Sequence, residues 1–188
     1  MMAVMRYPEG HKAEMREKIV RAAAAALRRG GIAGVSIPEL MKRAGLTHGG
    51  FYGYFRDRDE LVAEAVKSAA SDTTNGAFAE GLPLAETLAR YLSEGHVSHP
   101  EQGCVVAALG SEAAHQPAPV RHAFADVARG LLRNVDKKLR PGTSARTPSD
   151  QALRLASTII GAVVLARLVD DPALSDRILR AARSSHPE

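Results

Sequence analysis

Apolar residues recur along the chain at spacings of three and four, and alternating β-branched runs are scarce. That pattern predicts an all-α fold. Residues 1–11 carry no stripe and form a loose arm in this reading. A first helix is expected over 12–29. Its stripe is Met15, Ile19, Ala22, Ala23, Ala26 and Leu27, with Lys12, Arg16, Lys18, Arg21 and Arg28 around it and Gly30-Gly31 at its end. A helix over 59–75 buries Leu61, Val62, Ala65 and Val66. Asn75-Gly76 and Gly81-Leu82-Pro83 then break the chain. Further helices are expected over 84–94, 104–115, 119–139 and 148–170, with a last one opening at Pro172 and ending near 184. The 119–139 helix has the clearest stripe: Val120, Phe124, Val127, Leu131, Val135 and Leu139. Thr147 is expected to cap the 148–170 helix, with Pro148 at its first position. The segment 140–146 is a loop.

The stretch 36–61 is the most informative. Ser36 and Glu39 make a capping box, Pro38 sits in the first turn, and Leu40, Met41 and Ala44 form one apolar face. Gly45 suits a left-handed helix end, and Leu46 can pack under the turn. Thr47 can cap a second helix over 48–55. That helix would turn Phe51 and Phe55 inward at i, i+4 and present His48, Gly49, Tyr52 and Tyr54 outward. Asp57 or Asp59 caps the next helix. Two short helices joined this way are a helix-turn-helix, which sets one helix in a DNA major groove. Gly49, Gly50 and Gly53 are unusual in a recognition helix, because each costs about 1 kcal/mol relative to alanine. Few base-edge donors remain there, namely Thr47, His48 and the Tyr52 hydroxyl. Close backbone approach and DNA shape are then expected to carry specificity.

Charge sharpens this picture. Residues 1–60 hold 11 Lys/Arg against 7 Asp/Glu, whereas residues 61–188 hold 14 of each, so the whole formal excess of +4 lies in the helix-turn-helix segment. A basic module on a neutral body fits DNA binding. Lys12 and Arg16 are candidate phosphate contacts, and Arg6 could reach a minor groove. The single cysteine excludes an internal disulfide and fits a reducing cytoplasm. The longest apolar run has only 12 uncharged residues, between Arg154 and Arg167, short of the roughly 20 residues a spanning helix needs, so no membrane partner is expected.

The 148–170 helix is apolar on nearly every face from Ile159 to Val169 and must be covered on more than one side. Either it is the core helix of a monomer or one of its faces meets a partner subunit. In the second case Ile160, Val164, Arg167 and Leu168, with Leu174 and Ile178 of the last helix, would build a four-helix bundle across a two-fold axis. Cys104 stands at a helix start, where the dipole could favour thiolate sensing of oxidants or electrophiles; the alternative is a buried structural thiol. Glu112 and His115 either line a ligand pocket or reach solvent. His96, His99 and Cys104 lack a fourth ligand, so no metal is expected, and no cofactor. No catalytic triad, carboxylate pair or nucleotide loop is in a suitable setting, which argues against a small helical enzyme. A helical protein-interaction module that uses 36–61 is the other rival.

The arrangement resembles the TetR family of bacterial repressors. The resemblance lies in Ile19-Val20-Arg21-Ala22-Ala23, Gly34-Val35-Ser36-Ile37, Ala44-Gly45-Leu46-Thr47, Gly49-Gly50-Phe51-Tyr52 with Tyr54-Phe55, and Arg58-Asp59-Glu60-Leu61. Residues 103–112 are similar to one subgroup of that family's C-terminal domains. The resemblance implies a homodimer with a DNA-binding domain, 1–58, and a ligand-binding and dimerisation domain, 59–188. It implies a palindromic double-stranded operator and release when a small molecule, of unknown identity, binds. Thr47, His48, Gly49, Tyr52 and Tyr54 would face DNA, with Ser36 and Arg58 on phosphates. The pocket would lie among helices 84–94, 104–115, 119–139 and 148–170, largely apolar, with Tyr91, Cys104, Glu112, His115 and Phe124 as candidate contacts.

Overall fold

The computed structural model describes residues 9–144 and 147–184, and among them every regular element is helical. Three elements form the N-terminal unit: α1 (Glu9–Gly30), α2 (Ile37–Arg43) and a 3₁₀ segment (His48–Gly53). The long α3 (Arg58–Asn75) leads into the body, built from α4 (Leu84–Tyr91), α5 (Glu94–Ser98), α6 (Val105–Ala113), α7 (Ala118–Leu139), α8 (Asp150–Leu168) and α9 (Pro172–Ser184). A further 3₁₀ turn, Pro100–Gln102, joins α5 to α6. The expected arm partly gives way, since α1 already begins at Glu9; its residues 1–8, with Arg6, lie outside the described residues, as do 145 and 146 of the 140–146 loop.

Local chemistry sets the ends of these elements. Ser36, Thr47 and Asp57 each cap the next helix by accepting an amide three residues on, at 3.4, 3.3 and 2.8 Å respectively. The capping box is half formed, because the Glu39 carboxylate turns to Arg43 at 2.6 Å. Gly45 adopts φ +76 between α2 and the 3₁₀ segment, as a left-handed helix end requires.

Two further boundaries shift for a local reason. The 84–94 helix stops at Tyr91, because Leu92 leaves helical geometry and Ser93 starts a new helix by accepting the His96 amide at 3.2 Å. The α8 helix begins at Asp150, capped by Ser149 and not by Thr147. Asp136 of α7 selects Ser149 by accepting both its amide, at 3.1 Å, and its hydroxyl, at 2.8 Å. Arg140 completes that cluster, and together these donors hold the Asp136 carboxyl at a pKa of about 2.

Two buried clusters make the core. The first joins Ile19, Leu27, Met41, Phe51, Phe55, Leu61 and Val62 to Val105, Leu109, Val120 and Phe124 of the body. The second gathers Tyr91, Leu92, Cys104, Leu155, Ile159, Val163 and Leu179. Each fully buried side chain of this size contributes about 1.5–3 kcal/mol, so both units depend on α3 and α6, which stand between them. By length and mean hydropathy, 1.4, α8 could cross a membrane, but it packs against α7 and α9 as the central helix of the body. One of its faces stays open: Leu165 and Leu168 are 54% and 74% exposed, and Leu174 of α9 is 38% exposed.

Candidate nucleic-acid interface and ligand cavity

Phe51 of the 3₁₀ segment and Phe55, two residues past its end, are buried and stacked, with ring centroids 5.4 Å apart. They anchor the segment and leave Thr47, His48, Gly49 and Tyr52 exposed; Tyr52 is 69% exposed. Tyr54 is half-buried against the first core. The segment is a 3₁₀ turn over 48–53, shorter and tighter than the helix expected over 48–55. Three glycines in six residues weaken the α-helical alternative. No positive φ occurs at any of the three. A Cβ added at Gly49 or Gly53 would meet nothing within 4 Å among the described residues. The chain's own packing therefore does not require glycine at either position.

The expected phosphate contacts divide. Lys12 and Ser36 are exposed. Arg16 is engaged within the chain: it donates to Glu60 at 2.9 Å, to both oxygens of Glu64 and to the Tyr54 carbonyl, and it lies over the Phe55 ring at 4.7 Å. Its charge is spent clamping α1 to α3. Arg58 likewise turns inward and donates to the Ile32 carbonyl, tying the start of α3 to the α1–α2 loop.

The ligand candidates separate further. Tyr91 and Cys104 come together on the wall of a cavity of about 220 Å³, with Thr73, Arg90, His96, His99, Gln102 and Gly103. This lining is mixed, more polar than expected. A second, apolar chamber of about 80 Å³ lies beyond Thr73 and Cys104, among Ala70, Val105, Val127 and Leu131. Glu112 lines neither: its Oε2 accepts the Ile32 amide at 2.9 Å, so it joins α6 to the N-terminal unit. His115 is exposed at the end of α6. Phe124 borders a separate open groove with Val106 and Arg121.

His96, which sequence reasoning considered only as a metal candidate, organises the cavity. Its Nε2 accepts the Cys104 amide at 2.8 Å, which leaves Nδ1–H to donate to the Tyr91 carbonyl at 2.6 Å. Both nitrogens are thus engaged by backbone. Burial, with Arg167 and Arg28 nearby, lowers its pKa to about 4, so the ring is neutral. Its ring stands edge-on to that of Tyr91 at 4.7 Å. Arg167, expected in a dimer interface, reaches back from α8 and donates to the carbonyls of His96 at 2.6 Å and Val97 at 3.3 Å. The Tyr91 hydroxyl is buried without a hydrogen-bond partner among the described residues, and burial beside Cys104 raises its pKa well above the ordinary value. Cys104 itself is 3% exposed. The dimer candidates Ile160, Val164 and Ile178 are half-buried beside exposed Leu168 and Leu174.

The fold is shared with known proteins. Residues 19–65 match the family described as bacterial regulatory proteins, tetR family, and residues 83–182 match the tetracyclin repressor-like C-terminal domain. The chain belongs to the TetR family and has the fold of its transcriptional regulators. No curated protein matches it. Solved structures with similar folds include E. coli NemR in its reduced form, with TM-score 0.71, 22% identity and 92% and 94% of the two chains covered. A TetR-family regulator from Agrobacterium tumefaciens gives 0.68, 20%, 94% and 100%. One from Cytophaga hutchinsonii gives 0.73, 19%, 95% and 96%.

Proposed function

We propose that this protein is a cytoplasmic, homodimeric repressor that binds a two-fold-symmetric DNA operator and releases it when a small molecule fills the Tyr91–Cys104 cavity. One observation carries the DNA reading. Thr47, His48, Gly49 and Tyr52 form an exposed patch on a segment anchored from below by two buried phenylalanines, and its glycines leave open space that the chain does not use. Glycine lets a backbone come close to a partner, and backbone amides and hydroxyls suit phosphates and base edges. Lys12 and Ser36 supply flanking phosphate contacts, and Tyr54 a smaller one. Arg16 and Arg58 hold the unit together instead. Residues 1–58 act as the DNA-binding domain and 59–188 as the body, with α3 shared in packing.

The open apolar face of α8 and α9 supports the dimer: Ile160, Val164, Leu165, Leu168, Leu174 and Ile178 lie along it. Two such faces would close a four-helix bundle. The cavity supports a small effector. The protonated Tyr91 hydroxyl stands beside Cys104 and could turn to donate to a bound molecule, which would then carry an oxygen acceptor and place a short apolar part beyond Cys104. The protein acts as a regulator and not as an enzyme in this reading.

Binding to duplex DNA from upstream of its own gene tests this. Wild type should bind in a mobility shift, while Tyr52→Ala should weaken the shift and Leu168→Glu should abolish both the shift and the dimer. A confirmed dimer that shifts no duplex at low salt would refute the DNA reading.

A further inference from the structure

The Gly103–Cys104 peptide faces the cavity on one side and the DNA-binding unit on the other. On the cavity side His96 accepts the Cys104 amide. On the other side Arg28 of α1 donates to the Gly103 carbonyl at 3.0 Å, across 75 positions of sequence. Arg28 is 6% exposed, and its remaining donors reach the carbonyls of Ala24 and Ala69 and the Asp72 carboxylate. A guanidinium held by four acceptors has little freedom to move independently of any one of them. The neighbouring turn is tied to the same helix, with Arg29 and Glu101 paired at 4.0 Å.

Gly103 has no room to give. A Cβ there would collide with the His96 ring and stand 3.0 Å from the Arg167 guanidinium. Its φ of −88 is ordinary, so this glycine is required by close packing and not by backbone strain. The peptide, His96, Arg167 and Arg28 therefore form one packed unit. Displacing His96 from the cavity side shifts an acceptor of Arg28.

We propose that the Gly103 carbonyl and Arg28 are the relay by which occupation of the Tyr91–Cys104 cavity changes the setting of α1, and so of the recognition segment. This rests on the DNA-binding reading above and adds the route of its control. Cavity contents that move His96 would alter the Arg28 anchor, whereas contents that leave His96 in place would bind silently. Coupling between two sites of one protein typically spans about 5–150-fold in affinity.

The effector is unidentified, so the test replaces it with Gly103→Ala, whose methyl group displaces His96 and Arg167 from within. The probe is a duplex selected from a random pool by the wild-type protein. Gly103→Ala and Arg28→Lys should each weaken binding by about 5-fold or more, and the double variant should be no weaker than the worse single one, because both break the same link. Affinity changes that multiply in the double variant, or a Gly103→Ala protein that binds within about 2-fold of wild type, would overturn the relay. Should Gly103→Ala not fold, His96→Asn replaces it in the same cycle. Amide exchange over residues 24–36, measured without DNA, gives a second readout: faster exchange in Gly103→Ala supports the relay and unchanged exchange opposes it. If wild type selects no duplex, the DNA reading fails, and the exchange experiment still decides the relay.

Discussion

Glu112 of α6 accepts the backbone N–H of Ile32 at 2.9 Å and, by that bond, fastens the body to the loop between α1 and α2. Gly31, beside it, sits at φ +79 with the carboxylate 3.1 Å from where a Cβ would be. Glu112→Ala should leave the Ile32 amide without its acceptor and cost about 1–3 kcal/mol. Gly31→Ala should also destabilise, through backbone strain and crowding together. Urea unfolding of the three proteins measures both losses. A Glu112→Ala protein as stable as wild type would show that the bond contributes nothing.

The glycines of the recognition segment should separate stability from function. Gly49→Ala and Gly53→Ala add a methyl where nothing within the described chain stands in the way. Each should raise stability by about 0.5–1 kcal/mol by restricting the unfolded chain. If the open space is reserved for DNA, each should also weaken operator binding. Thermal melts and anisotropy titrations on the same samples test the pair of effects; a variant that is stabilised and binds equally well would remove the close-approach argument.

Much of the N-terminal unit was legible because its determinants are local. Ser36, Thr47 and Asp57 cap helices within three residues of themselves, and Phe51 and Phe55 share a face at one turn's spacing. The internal contacts of Arg16, Arg28, Glu112 and Arg167 are not legible for the opposite reason. Their partners lie 38 to 80 positions away, and which of them a long side chain meets depends on how helices cross. Sequence spacing alone suggests His96 and Cys104 as neighbours, and with no fourth ligand it gives them no metal and no other task. The intervening turn at Pro100–Gln102 instead brings the Cys104 amide onto the ring.

Salt dependence should distinguish the two cations of α1. Lys12 is exposed, so Lys12→Ala should shallow the slope of log affinity against log salt by about 0.9 if it contacts one phosphate. Arg16 is paired with Glu60 and Glu64, which raise its pKa further. Arg16→Ala should leave the slope unchanged and cost stability of up to about 1 kcal/mol, given its partial exposure. An altered slope in Arg16→Ala would return that residue to the DNA surface.

His96 predicts a pH window. Its folded pKa of about 4 lies below the ordinary 6.5, so between those values the unfolded chain binds more protons than the folded one. Stability should therefore be full above pH 6.5 and fall on acidification towards pH 4, by on the order of 2–3 kcal/mol. Asp136 acts in a lower window, between about 4 and about 2. Denaturant melts of wild type and His96→Gln at pH 7 and pH 4.5 isolate the histidine. An equal acid loss in both proteins would assign the effect elsewhere.

The most direct measurement for the whole account is the duplex that the wild-type dimer selects from a random pool, with its stoichiometry. The expected result is an inverted repeat bound by two chains, or a multiple of two, with recognition segments in major grooves about 34–36 Å apart. It also includes loss of selection in Tyr52→Ala. A dimer that enriches no sequence and retains no duplex at low salt would contradict it.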